Sequence, residues 1–160
     1  GVDVDFRQMP AEELAYGDGE FDVVLAMLLF HEVPVEVGRR IVEEAYRVLR
    51  PGGRLLAEFY NPLSLRYLIK RLKPPSAISE RTSDEAVFTR YDSLARIRTY
   101  LPAELELETV RGIRVVTPVS FVHRWPVVGP ALRAIERGVA DMPGLRRLGG
   151  FLLVVARKRA

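Results

Sequence analysis

The segment from Phe21 to Phe59 admits few folds. It opens on Phe21-Asp22-Val23-Val24-Leu25-Ala26, an apolar run interrupted by one acid. Such a run suits a parallel strand covered on both faces. A loop holding His31, Glu32 and Pro34 follows. From Val35 onward, Val37, Ile41, Ala45, Val48 and Leu49 fall on one helical face. Glu36 with Arg40, and Glu43 with Arg47, stand at the i,i+4 spacing in the favourable order. Arg47 and Arg50 sit where the helix dipole favours cations. Pro51 cannot continue a helix, and Gly52 and Gly53 permit a left-handed exit from it. Leu55 to Phe59 then supplies a second buried strand. Strand, helix, tight turn and strand make a βαβ unit with a right-handed crossover. The expected fold class is α/β.

Weaker signals flank this unit. Val2, Val4 and Phe6 alternate with Asp3, Asp5 and Arg7, the pattern of a short half-buried strand that Pro10 ends. Ala11 to Leu14 can make one helical turn, and Tyr16-Gly17-Asp18-Gly19 reads as a tight turn. The Gly17-x-Gly19 pair is no dinucleotide fingerprint, because a strand follows where a helix should open. Leu63 to Lys73 predicts a basic amphipathic helix stopped by Pro74-Pro75, followed by a polar loop over 76–90. Asp92 or Ser93 can cap a helix carrying Leu94, Ile97 and Leu101. Leu105 to Val116 is strand material with a break at Gly112. Residues 118–148 are rich in Pro, Gly and Arg, with a helix over Gly129 to Val139. Phe151 to Ala156 forms a last strand.

Composition narrows the function. A chain of 160 residues supports one domain with a real core. With no cysteine there is no disulfide, thiol nucleophile or Cys-based metal site, which fits a reducing cytoplasm. The two histidines, His31 and His123, are far apart and argue against zinc. The longest apolar run, Val23 to Phe30, is far short of a membrane span. Residues 1–60 carry 12 acids and 6 bases, and residues 61–160 carry 9 acids and 18 bases. The second part therefore offers either an ordinary solvated surface or a basic face for an anionic partner. No aromatic–basic motif accompanies it, so nucleic acid is not an expected partner.

Four pieces of the chain together resemble the class I S-adenosylmethionine-dependent methyltransferases, in particular the subgroup acting on small molecules, quinones and lipids. They are Ala11-Glu12-Glu13-Leu14, Gly17-Asp18-Gly19-Glu20-Phe21-Asp22-Val23-Val24, Phe30-His31-Glu32-Val33, and Glu43 through Tyr46-Arg47-Val48-Leu49-Arg50-Pro51-Gly52-Gly53. The ending, Gly150 to Lys158, resembles the last strand of that family. The resemblance implies a Rossmann-like, three-layer αβα sheet ordered 3-2-1-4-5-7-6 with strand 7 antiparallel. On that map Val2–Gln8 is family strand 3, Phe21–Ala26 strand 4, Leu55–Phe59 strand 5, Leu105–Val116 holds strand 6, and Phe151–Ala156 is strand 7. Family strands 1 and 2, with their Gly-rich loop and ribose-binding acid, have no counterpart. The expectation is therefore a single incomplete methyltransferase domain over 1–160, with variable substrate-side insertions at 61–90 and 118–148. Family strand 4 would then be an apolar edge, inviting self-association, and residues 1–8 would detach, add to that edge or pair between chains.

The same resemblance assigns site residues. Met9, Pro10, Ala11 and Glu12 occupy the adenine side of an S-adenosylmethionine site. The family's acid there is replaced by Pro10, which has no N–H, leaving Met9 or Glu12 to compensate. Ala26 and Met27 line the cofactor cleft, unless Met27 is simply core filler. His31 and Glu32 match a family loop where they position or deprotonate an acceptor hydroxyl; the alternative is that His31 caps the next helix or packs. Tyr60, Asn61 and Tyr91 face the substrate, against a plain turn at Asn61-Pro62. His123 and Trp125 lie in a long connection read as a lid, with Trp125 a packing anchor in the other reading. The implied activity is methyl transfer to a small-molecule or lipid-like acceptor. The alternatives are a non-catalytic remnant that binds a protein partner or itself, and peripheral membrane contact through Leu63–Lys73.

Overall fold

In the computed structural model the described residues are Gly1 and residues 3–72, 77–79, 82–83, 88–116 and 128–160. Six strands and four helices appear among them: β1 Phe21–Ala26, α1 Val35–Val48, β2 Leu49–Tyr60, α2 Leu65–Leu72, β3 Ala77–Ser79, β4 Thr82–Ser83, α3 Leu94–Arg98, β5 Leu105–Ile113, α4 Val128–Val139 and β6 Phe151–Lys158. A 3-10 turn over Leu145–Leu148 precedes β6. The main sheet has the order β1-β2-β6-β5, and β3 and β4 pair separately. β1 and β2 are parallel, and β6 runs antiparallel to both β2 and β5. The fold is α/β, and this order matches family strands 4-5-7-6 with the antiparallel member in its expected place.

The βαβ unit forms where the sequence put it. α1 begins at Val35 and buries Ile41, Val42, Ala45 and Val48. Of these, Ile41, Val42 and Ala45 pack with Leu55, Ala57 and Phe59 of β2, Val154 and Ala156 of β6, and Ile97 and Tyr100 of the α3 region. Phe30 stacks on Phe59 with ring centroids 4.5 Å apart. Burying each such aliphatic or aromatic side chain stabilises by about 1.5–3 kcal/mol, so this one face supplies most of the core. Gly52 does take the left-handed turn, at φ 80°. The hydrogen-bonded strand nevertheless starts at Leu49, before the Pro-Gly-Gly turn, with a bulge opposite Phe21 to Val23. The residues after α4 reach the edge strand β5, where the Gly112 N–H donates to the Ala140 carbonyl at 2.9 Å.

Three expectations are corrected. Residues 3–8 form no strand and pair with none; Phe6 is 90% exposed. Alternation with three acidic or basic neighbours is not enough to order a strand that has no sheet to join. Neither i,i+4 ion pair forms on α1. Arg47 instead reaches Glu44 at 2.9 Å, Asp18 at 2.7 Å, and the carbonyls of Leu14 and Tyr16, tying the entering segment to the helix. Gly112 does not break β5. It lets the strand pass the backbone at Arg146, whose carbonyl oxygen would lie 2.5 Å from an added Cβ.

Candidate acceptor site at the C-terminal end of the sheet

The strand directions bring several chain ends to one edge of the sheet. β1 and β2 finish there at Ala26 and Tyr60, β5 finishes there at Ile113, and β6 starts there at Phe151, which pairs with Tyr60. In open α/β sheets this is the edge at which ligands bind. His31 follows β1 and lies flat on Tyr60, with centroids 4.0 Å apart and planes 6° apart. Tyr60 also meets Phe151 edge-on at 4.9 Å and Tyr91 at 5.6 Å, and Tyr91 meets Tyr67 of α2 at 4.5 Å. The sequence-derived residues His31, Tyr60 and Tyr91 thus form one aromatic cluster.

The chemistry of the cluster is set by burial and by one cation. The His31 Nε2 lies 3.6 Å from Glu32 Oε1, and its buried Nδ1 has no hydrogen-bond partner. Burial pushes the imidazole pKa below its usual value; Glu32 opposes this and Arg66 adds to it. Burial likewise raises the Tyr60 phenol, while Arg66 pulls it down. Arg66 lies over both Tyr60 and Phe151, at 5.8 and 5.2 Å from the ring centroids.

Asn61 has a different job. It is 1% exposed, its amide donates to the carbonyls of Arg147 and Gly149, and its Oδ1 accepts from the Leu63 N–H. Those bonds hold the β2 exit against the start of β6, the turn-forming alternative. Ala26 is buried in the core and Met27 is exposed beside it; Leu28 then takes φ 55°. A non-glycine residue at positive φ is sparsely populated and concentrates at ligand-binding turns. Ala11 packs against the core cluster, Pro10 is exposed, and Glu12 is half-buried. For a bound cofactor these residues offer part of a site: Met27 is an exposed apolar side chain, and Glu12 is a half-buried polar group beside Pro10, which has no N–H. His123 and Trp125 lie outside the described residues. Among the described residues no His, Cys, Asp and Glu cluster could hold a metal.

Sequence reasoning missed a second layer. Residues 89–92 cross the sheet edge: the Arg90 N–H donates to the His31 carbonyl and the Asp92 N–H to the Tyr60 carbonyl, each at 2.8 Å. Extended backbone alternates, so Tyr91 turns to the aromatic cluster while Arg90 and Asp92 turn inward. There Asp92 accepts from Arg90 Nε at 2.8 Å and from the Tyr100 hydroxyl at 2.7 Å, and Arg90 Nη1 donates to the Val33 carbonyl. Burial and the bond to Asp92 push the Tyr100 phenol up to about 12. The Arg-Tyr-Asp alternation was the available signal. Ser93, not Asp92, caps α3.

Comparisons with known proteins agree with this arrangement. A family model described as a methyltransferase domain matches residues 1–57. A 27-O-demethylrifamycin SV methyltransferase of Amycolatopsis mediterranei is 46% identical over 50 residues, 31% of this chain and 18% of that protein. A phthiotriol/phenolphthiotriol dimycocerosates methyltransferase of Mycobacterium ulcerans is 31% identical over 149 residues, 93% of this chain and 47% of that one. Among solved structures, a SAM-dependent methyltransferase of Thermotoga maritima, described as a possible histamine N-methyltransferase, superposes with a TM-score of 0.60 at 20% identity, covering 93% of this chain and 61% of its own. The chain thus spans about half or less of the length of these two curated relatives. The sheet order, the turn chemistry and these matches together make residues 1–57 similar to a methyltransferase domain and give the chain the fold of the S-adenosylmethionine-dependent methyltransferases.

Proposed function

We propose that this protein transfers a methyl group from S-adenosylmethionine to a small-molecule or lipid-like acceptor seated against His31 and Tyr60. The observation that carries the reading is the His31–Tyr60 stack at the strand ends, beside an exposed apolar shelf at Met27. The cofactor supplies an electrophilic methyl group when bound. Met9 to Glu12 would meet its adenine, and Ala26 and Met27 its flank. Tyr60, stacked on His31, holds the imidazole in place beside the acceptor. With its pKa depressed, His31 is neutral at pH 7 and can take the proton that an acceptor hydroxyl gives up, and Glu32 stabilises the imidazolium that results. Positioning and exclusion of water supply the rest. The names of the two curated relatives, one for 27-O-demethylrifamycin SV and one for phthiotriol and phenolphthiotriol dimycocerosates, support an acceptor of this class. The test is calorimetric titration with S-adenosylhomocysteine, of this chain and of any longer product of the same reading frame. Absence of binding by both refutes the reading.

A second reading is favoured by the β1 edge, where Val23 and Leu25 are exposed. In it the chain is a non-catalytic module that associates with itself through that edge. Micromolar dimerisation in light scattering without cofactor binding would select it. Peripheral membrane contact is proposed for the 63–73 segment, whose Leu63, Leu65, Leu68 and Leu72 are exposed next to Lys70 and Arg71. Sedimentation with anionic vesicles, compared with neutral ones, tests it.

A further inference from the structure

Two arginines converge at the acceptor end of the sheet without a carboxylate to pair with. Arg66 comes from α2 and Arg114 from the residue after β5. Both lie over Phe151, with guanidinium carbons 5.2 and 6.0 Å from its ring centroid. Both side chains border Gly150: a Cβ built there would lie 3.6 Å from Arg66 Cδ and from Arg114 Cβ, in ordinary van der Waals contact. Among the described residues neither guanidinium has an ion-pair partner, and each is half-buried. The nearby Glu136 accepts instead from the backbone N–H groups of Val115 and Val116. Those bonds, with Gly150 N–H donating to the Arg114 carbonyl at 3.2 Å, hold Arg114 at φ 58°. The backbone at Arg114 is thus held in a sparsely populated conformation, with its side chain next to a like charge. Burial, and after it the neighbouring Arg66, lower the Arg114 pKa, while Glu136 and Tyr60 partly offset them. A half-desolvated pair of forked donors in mutual repulsion is the arrangement that a carboxylate or phosphate relieves, by charge-assisted, bidentate hydrogen bonds.

We infer that Arg66 and Arg114 form an anion clamp that binds a carboxylate or phosphate group of the methyl acceptor, with Tyr60 and Phe151 as its floor. The inference rests on the reading that the acceptor sits at this end of the sheet, and it assigns that acceptor to the anionic small molecules. The clamp also explains why α2, an insertion element, carries Arg66 toward the strand ends while its leucines stay exposed.

The experiment titrates inorganic phosphate, and separately benzoate, into the nitrogen-15-labelled chain at constant ionic strength, following the arginine Nε–H and Phe151 amide signals. The expected result is saturable shifts at Arg66 and Arg114 with one shared dissociation constant. Saturation by benzoate alone assigns the clamp to carboxylates, and by phosphate alone to phosphate esters. Arg66→Gln and Arg114→Gln should each weaken binding about tenfold, from the loss of one charge-assisted bond, while Arg98→Gln on exposed α3 leaves it unchanged. Arg66→Lys keeps the charge and loses the fork, and should still weaken binding. Circular dichroism of each variant separates lost binding from lost folding. No saturation with either anion, or equal weakening by Arg98→Gln, overturns the clamp. S-adenosylhomocysteine titration of the same samples separates the two claims: cofactor binding without anion binding refutes the clamp alone, and the converse refutes the methyl-transfer reading alone.

Discussion

Asp92→Ala should be among the most destabilising single substitutions in the chain, because Asp92 is the counter-charge of a buried arginine. The side chains of Asp92 and Arg90 are 2% and 7% exposed. Asp92 accepts from Arg90 at 2.8 Å and from Tyr100 at 2.7 Å, while Arg90 Nη2 already lacks a partner. Truncating Asp92 leaves the guanidinium buried with only the Val33 carbonyl, at an expected cost of about 3–5 kcal/mol. For a chain of this size each 1 kcal/mol moves Tm by about 2–4 °C, so the melting temperature should fall by roughly 6–20 °C. Tyr100→Phe leaves the ion pair and should cost only about 1–2 kcal/mol. Arg90→Met with Asp92→Leu removes both charges and should cost less than Asp92→Ala alone, giving a coupling energy of about 1–3 kcal/mol. Urea denaturation with unchanged m-values is the assay. A spectrophotometric titration adds an independent check: the tyrosine titrating near 12 should shift down in Asp92→Ala, only partway, because burial is the first cause of its position. The reasoning fails if Asp92→Ala costs under about 1 kcal/mol, or if the apolar double variant is the least stable of the set.

Other consequences can be measured directly. His31→Ala should lower methyl transfer by about 10²- to 10⁴-fold if the imidazole takes the acceptor's proton, with cofactor affinity unchanged. Because the His31 pKa is depressed in the fold, the unfolded chain binds a proton first on acidification. Stability should therefore rise with pH from the folded pKa up to about 6.5 and level off above it, and His31→Gln should abolish that slope in denaturation series. Glu58 is buried and has no hydrogen-bond partner among the described residues, and burial raises its pKa. Glu58→Gln should therefore be more stable than the parent at pH 7 in denaturation series and lose that advantage as the pH falls toward the carboxylate range. Gly149→Ala would place its Cβ 2.8 Å from both Gly112 Cα and the Phe151 carbonyl oxygen. Backbone cannot yield there as a side chain would, so a loss of about 1–3 kcal/mol is expected in thermal melts.

The parts of the molecule legible in the sequence were those whose signal is local. The stop at Pro51-Gly52-Gly53, the α1 stripe and the apolar strands on either side depend on residues close in sequence, and each appears within a few positions of its expected place. What stayed hidden was joined over long separations. Arg90 read as a loop residue and Asp92 as a candidate helix cap; their alternation about Tyr91 is the one local hint, and it is the sheet edge, through the carbonyls of His31 and Tyr60, that turns them inward. Arg47 shows the same limit. Its i,i+4 spacing to Glu43 is a weak preference of a few tenths of a kcal/mol. It loses to a set that gathers Glu44, Asp18 and two carbonyls from the preceding loop. The candidate site divides in the same way. His31, Tyr60 and Tyr91 were found because a family pattern or a strand end marked them, whereas the convergence of Arg66 with Arg114 depends on the β2–β6–β5 register and on a glycine at position 150. The family's shared chemistry is therefore written in the βαβ half of the chain. On the proposed reading, what distinguishes the acceptor is written in the basic half, as contacts that exist only once the antiparallel strand has closed the sheet.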